Sequence, residues 1–233
     1  MKTLHKNSER LVTKVFKDVF DKYDLMNDLM SLGIHRLWKK DFIDWLNPQK
    51  NSILIDVASG TGDIAKLYLD KINNIGEVIC VDENKGMLSL SKKKFEAEKN
   101  IKWFCNNAEK LPFKNNYFDL IINRAALCNT NIYNANIAMS ECHRVLKKNG
   151  KFYSTFFSNY CTYTGTKIEK GFYKNFRTNF KNSGFIKFYN LSELKKLYKK
   201  NNIIIDELFL NNKINISNSS KSTISEWYVY AKK

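Results

Sequence analysis

The chain has 233 residues, 43% hydrophobic and 14% aromatic, enough to bury a sizeable core in one α/β domain, and no apolar run approaches the length of a membrane span. Five cysteines (Cys80, Cys105, Cys128, Cys142 and Cys161) without metal-type spacing argue against a disulfide framework or a metal centre and predict reduced cytosolic thiols; "MKTLHKNSERLVTKVFKDVF" has no secretory hydrophobic segment. The net charge of +16 suits nucleic acid or an anionic membrane as partner, but a Lys/Asn-biased genome explains it as well, because the lysines are spread along the chain.

In chain order, residues 8–46 read as helices. Val12, Val15, Phe16, Val19, Phe20 and Tyr23 recur at helical spacing. A second stretch, Ile34 to Leu46, carries Leu37, Trp38, Phe42 and Trp45 and ends before Asn47-Pro48. His35 and Trp38 read as helix packing, as does His143 further on.

From residue 51 the pattern changes to strands at 52–57, 77–82, 101–105, 118–123 and 151–157, with helices at about 62–71, 85–98, 134–147 and 191–200. Two late strands, 203–209 and 226–231, have no strong helix between them and predict an antiparallel edge hairpin. The fold class is therefore α/β: a doubly wound, mostly parallel seven-stranded sheet with an N-terminal helical cap. Neither an internal repeat nor a long linker divides the chain, so one domain is expected, with a cap over 1–47, a core over 48–157 and a substrate-side region with edge strands over 158–233. Residues 158–190 and 211–224 fit the scheme poorly and read as loops or a substrate lid.

Ligands of such sheets bind at the carboxyl ends of the strands, by the topological switch point. The first strand–helix turn there is "ILIDVASGTGD", Ile53 to Asp63. Gly60-x-Gly62-x-x-Ala65 fits the dinucleotide fingerprint, yet a pyrophosphate would meet the carboxylates of Asp56 and Asp63. That suits a ligand carrying a cation and no phosphate, and S-adenosylmethionine, with its ammonium and sulfonium, is one. Asp82 ends the second strand twenty residues after Gly62, where a carboxylate accepts hydrogen bonds from ribose hydroxyls. The third strand ends in Asn107-Ala108-Glu109, where an amide can meet adenine. The competing reading is that Asp56 and Asp82 only cap adjacent helices.

"ILIDVASGTGD", "VICVDENKGML", "NAEKLPFKNNYFDLII" and "HRVLKKNGKF" resemble class I S-adenosylmethionine methyltransferases. Val19 to Lys39, "VFDKYDLMNDLMSLGIHRLWK", closely resembles the ubiquinone/menaquinone biosynthesis C-methyltransferase family, which methylates a ring carbon of a polyprenylated benzoquinol or naphthoquinol; the likeness runs over about residues 9–157. The resemblance implies S-adenosyl-L-methionine as cofactor, with Thr61, Asp82, Asn107 and Ala108 at binding positions and Gly60 and Gly62 in the glycine loop; Asp56 joins them from the charge argument. It also implies that a cap segment with Tyr23, Met26, Asn27 and His35 covers the cofactor. After the fourth strand stands "RAALCNT": Asn129 matches, the family arginine thought to help deprotonate the quinol is replaced by Cys128, and a family serine becomes Arg124. Asn129, as positioner of a water, and Arg124, as replacement charge, are the catalytic candidates, with a surface salt bridge the competing role for Arg124. The usual C-terminal stretches of the family are missing beyond residue 158.

Three rivals stand beside this reading. A nucleic-acid methyltransferase is disfavoured, because no Asn/Asp-Pro-Pro turn follows the fourth strand and neither proline precedes a cysteine. A methyltransferase of another small molecule or lipid stays open, as does a cofactor-binding pseudoenzyme in a quinone-synthesis complex, which the Cys128 departure motivates. Expected partners are a small-molecule or prenyl-lipid substrate, with a homodimer or such a complex left open. The alternation of rings and cations in Gly171–Tyr189 suits either contact with an anionic membrane, on its inner cytoplasmic face, or ordinary packing on the sheet.

Overall fold

The computed structural model describes residues 34–177, 180, 184–217 and 220–233. The helices expected before residue 34, with Tyr23, Met26 and Asn27, and the side chains of His35 and Trp38 lie outside the described residues. Of the expected cap, the described part is helix α1, Ile34–Leu46.

The chain then alternates as expected: β1 Ile53–Val57, α2 Asp63–Lys71, β2 Glu77–Asp82, α3 Lys85–Lys94, β3 Ile101–Cys105, β4 Phe118–Arg124, α4 Ile132–Val145 and β5 Leu146–Phe157. A 3-10 turn, Ala126–Asn129, links β4 to α4. After three short strands, β6 Thr166–Glu169, β7 Phe172–Lys174 and β8 Ile186–Lys187, come α5 Leu191–Lys200, β9 Ile204–Ser217 and β10 Ser220–Lys232. The main sheet has the order β3-β2-β1-β4-β5-β10-β9, parallel from β3 to β5. β10 runs antiparallel to both β5 and β9, which is the expected hairpin. The chain leaves β3 at one edge and returns beside β1, so the switch point lies between β1 and β4.

Both faces are covered, which is why the central strands are nearly continuous hydrophobic runs. One face packs Phe42, Leu46, Tyr68 and Leu69 of α1 and α2 on Leu54, Val78 and Ile122. The other packs Met139, Cys142, Leu194 and Tyr198 of α4 and α5 on Ile55, Ile79, Ile121 and Phe152. Alternation along β1 sends Asp56 to the α1–α2 face, where it is only 3% exposed.

Two expectations are corrected. The described residues of 211–224, namely 211–217 and 220–224, are not a loop: they lengthen β9 and β10 into a ladder paired from Ile204–Lys232 to Ser217–Ser220. Residues 158–190 are not loop throughout: their described part includes the small sheet β6-β7-β8, held by ring contacts such as Tyr163 stacked on Phe188 at 4.1 Å. The asparagines also have a conformational use. Among the described residues ten non-glycines have positive φ, and eight are Asn, the residue that tolerates the left-handed region best after glycine. Asn84, Asn131 and Asn190 cap α3, α4 and α5, the last in a capping box with Glu193.

Candidate cofactor and acceptor site

At the carboxyl edge of β1–β4 lies a cavity of about 360 Å³, lined among others by Ala58, Asp82, Asn107, Ala108, Asn123 and Asn129. It lies where β1 and β4, paired up to Val57 and Asn123, end side by side and the chain leaves them in different directions, to β2 on one side and β5 on the other.

Asp82 is preorganised. One carboxylate oxygen accepts the Gly60 N–H at 2.8 Å and the other the Asn84 N–H at 2.8 Å. The bond to Gly60 ties the end of β2 to the turn after β1. Each oxygen keeps a second lone pair for a ligand hydroxyl.

The two glycines of the turn do different work. Both have positive φ, +56° at Gly60 and +75° at Gly62. A Cβ on Gly60 would meet nothing within 4 Å, so this position borders open space. A Cβ on Gly62 would strike Ser91 Oγ of α3, so this glycine serves close packing of α2 and α3. Ser91 Oγ in turn accepts the Trp103 Nε1–H at 2.8 Å. Thr61, between the glycines, is half-buried.

Asp56 is buried behind the turn. Burial, then the nearby Asp82 charge, push its carboxyl up to about 7, with Arg124 pulling the other way and Asp63 adding to the rise. Asp63 behaves oppositely. Burial would raise it, but hydrogen bonds from Lys39 at 2.6 Å and Lys94 at 2.7 Å hold it below the usual carboxylate range. Among the described residues, lysines bond Asp63 and none bonds Asp56.

Asn107 is partly spent on local structure: Oδ1 accepts the Glu109 N–H at 2.8 Å and Nδ2 donates to Glu83 Oε2 at 3.3 Å. Asn129 is exposed at the cavity wall. Arg124 is not a lining residue but lies between Asn123 and Ala126, which are. Cys128 is sealed in the core at 0% exposure, its sulfur accepting the Phe157 N–H, and burial pushes its thiol up. That position therefore does not face the cavity.

Asp82, Asn107, Ala108 and Asn129 thus share one cavity, whereas Asp56, Gly60, Thr61, Gly62 and Arg124 flank it. Sequence reasoning missed Glu83 and Asn123. Glu83 was visible as the second acid of "VICVDEN". Asn123, 1% exposed, clamps Val57 O to the Leu127 N–H and reads in sequence as an ordinary strand residue. Among the described residues no group of His, Cys, Asp or Glu converges as a metal ion requires.

The cavity's electrostatics select its ligand. Asp82, Glu83 and Glu109 line it and, among the described residues, no Lys, Arg or His does, within a chain of net charge +16. A pyrophosphate would be repelled there, while a ribose with its two hydroxyls and a cationic tail fits the donor set.

The sequence profile described as "ubiE/COQ5 methyltransferase family" matches residues 3–180, beyond residue 157 where the motif likeness faded. The ubiquinone/menaquinone biosynthesis C-methyltransferase UbiE of Rickettsia prowazekii is 44% identical over 173 residues, covering 71% of this chain and 65% of that relative. UbiE of Rickettsia typhi matches to the same extent. The chain thus spans just under two thirds of the length of these curated relatives. Among solved structures, an S-adenosylmethionine-dependent methyltransferase from Clostridium acetobutylicum superposes with a TM-score of 0.68 at 17% identity, over 91% of this chain and 98% of that one. A Burkholderia thailandensis 1,6-didemethyltoxoflavin-N1-methyltransferase, solved with 1,6-didemethyltoxoflavin and S-adenosylhomocysteine bound, gives 0.64 at 12% identity, over 97% and 89%. These two likenesses are of fold.

Proposed function

The chain belongs to the ubiE/COQ5 methyltransferase family, and on that premise we propose that it is an S-adenosylmethionine-dependent methyltransferase acting on a ring carbon of a polyprenyl benzoquinol or naphthoquinol. The observation that carries the cofactor half is the acidic, phosphate-repelling cavity in an otherwise basic chain. The C-methyltransferase relatives at 44% identity support the acceptor half.

When bound, the cofactor supplies an electrophilic methyl group on a sulfonium. The chain's residues align it and exclude water. Asp82, held by Gly60 and Asn84, takes the ribose hydroxyls; the Ala58–Gly62 turn, with Asp56 behind it, receives the cationic methionine end; Asn107 and Ala108 border the adenine. Asn129 orients a water toward the acceptor from the end of β4, and Arg124 supplies the positive charge that favours a deprotonated ring hydroxyl.

A prenyl-lipid acceptor implies work at a membrane surface. A groove of about 540 Å³ between α4, α5 and the small sheet combines Ile132, Tyr133 and Phe172 with Lys170, Lys196 and Lys200. Tyr133 is 72% exposed, and Phe185, which stacks on Phe172 at 5.8 Å, is 50% exposed. Exposed rings beside cations suit the interface of an anionic bilayer. No helix of the described residues is long and apolar enough to cross one.

Calorimetry with S-adenosylhomocysteine tests the cofactor assignment: Asp82→Ala should weaken binding more than tenfold, since charge-assisted hydrogen bonds contribute about 1.5–3 kcal/mol each. Deleting the gene in its host and profiling quinones by mass tests the acceptor. A quinone lighter by one methyl group, restored by the wild type and not by Asp82→Ala, is the expected result. A normal profile would leave a methyltransferase of another small molecule, or a cofactor-binding scaffold.

A further inference from the structure

A row of polar side chains crosses the sheet from Arg124, the residue after Asn123 of the cavity lining. Arg124 at the end of β4 is the register partner of Thr155 on β5, and Thr155 is the partner of Tyr228 on β10. Register partners project from the same face. Here it is the α1 face, because the Tyr228 ring meets Trp45 of α1 at 5.9 Å. Glu226, two residues before Tyr228, shares that face one rung nearer the carboxyl edge, opposite Phe157.

These groups are buried out of proportion to their polarity: Thr155 is 1% exposed, Glu226 6% and Tyr228 9%. Among the described residues Thr155 Oγ1 has no hydrogen-bond partner, an arrangement that folding alone does not reward. Ser225 Oγ and Tyr189 OH are orphaned too, but Tyr189 packs in the core of the α4–α5 face and Ser225 adjoins Trp227 of that core, away from this row. Glu226 forms an ion pair with Lys213 at 3.9 Å, beyond hydrogen-bond reach. The row is also joined electrostatically. Burial, then Glu226, push the Tyr228 phenol up, while Asn211 and Arg124 pull it down, and Arg124 also lowers Asp56 at the cofactor side.

We propose that this row is the acceptor-oxygen subsite: Arg124 and Thr155 hold a ring hydroxyl of an electron-rich hydroxyarene, and Glu226 accepts its proton. The proposal rests on the methyltransferase reading and adds to it the oxygen-binding residues and the base. The O–H proton passes to Glu226, and its electron pair moves through the ring to the neighbouring carbon. That carbon forms the new bond to the methyl as the sulfonium becomes a neutral thioether. The ring C–H proton then leaves to water, the ring becomes aromatic again, and Glu226 returns its proton to the oxygen. One proton is released per methyl transferred. Arg124 favours the anionic oxygen in the step where charge develops.

Thr155→Val and Glu226→Gln test this with a prenylated 1,4-benzoquinol, a prenylated naphthoquinol and radiolabelled S-adenosylmethionine. Thr155→Val removes a hydroxyl that bonds nothing in the fold, so the variant should keep its thermal midpoint. It should raise the acceptor KM about tenfold while leaving S-adenosylhomocysteine affinity within about twofold. Glu226→Gln should lower kcat by about a hundredfold or more, the usual share of a positioned base. Wild-type turnover with both variants unimpaired would overturn the subsite. If the wild type methylates neither quinol, 4-nitrophenol binding followed by its phenolate absorbance decides separately. Weakening by at least about tenfold in Arg124→Ala and Thr155→Val would uphold the subsite and overturn the quinol reading, and equal binding in all variants would overturn both.

Discussion

Asp56 is where burial and charge act most strongly on one side chain. Its carboxyl is pushed up to about 7 in the folded chain, against about 3.9 when unfolded. Between those values the unfolded chain gives up the proton first, so stability falls as pH rises from about 4 to 7 and is then level. The total is on the order of 4 kcal/mol. Asp56→Asn should therefore be more stable than the wild type above pH 7 and equal to it below about pH 4, as denaturant titrations at the two ends of that range would read. A stability difference that does not vary with pH would contradict this. Binding adds a second signature, because a cation brought near Asp56 favours its charged form. Near pH 7, calorimetry of S-adenosylmethionine in buffers of different ionisation enthalpy should show proton release in the wild type and little in Asp56→Asn. The carboxylates of Asp56 and Asp82 were legible in sequence because each ends a hydrophobic strand. The orphaned hydroxyl of Thr155 was not, because its isolation depends on what neighbouring strands place around it.

At the scale of elements, β1 to β4 and α5 were legible to within a residue or so, since buried strands and capped helices carry the strongest local patterns. The β9–β10 hairpin was only half legible. Its tip, "NNKINISNSSKSTI", has the composition of a loop, and a backbone ladder up to Ser217–Ser220 holds its described residues in strand form. The small sheet escaped notice because its strands are two to four residues long and are placed by ring contacts from distant positions. Helix α1 shows how an element is fixed from outside itself. Leu46 is fully buried, its carbonyl accepts the Tyr153 hydroxyl at 3.2 Å, and Trp45 meets the Tyr153, Phe209 and Tyr228 rings. Leu46→Ala should cost about 2–5 kcal/mol in denaturant unfolding, the range for a leucine-sized cavity. A loss under about 1 kcal/mol would mean that α1 contributes little to the core.

Across the whole molecule, charge is sorted by place: a net +16 overall, yet an acidic cavity at the carboxyl edge of the sheet and cations around the apolar groove. Vesicles of phosphatidylglycerol should therefore retain the protein at low salt and release it as screening shortens the reach of the lysines. Tyr133→Ser with Phe185→Ser should reduce retention at every salt concentration, whereas neutral phosphatidylcholine vesicles should retain little of either form. Equal sedimentation of wild type and double variant would place the contact elsewhere. One further link joins the far edge of the sheet to the glycine turn. The Trp103 indole on β3 rests on Ser91, and Ser91 occupies the space that Gly62 leaves empty. The protein thereby carries the makings of an optical gauge: with the other three tryptophans replaced by phenylalanine, emission from the Trp103 indole should shift when a ligand moves the turn, so its arrival can be followed in solution without any attached dye.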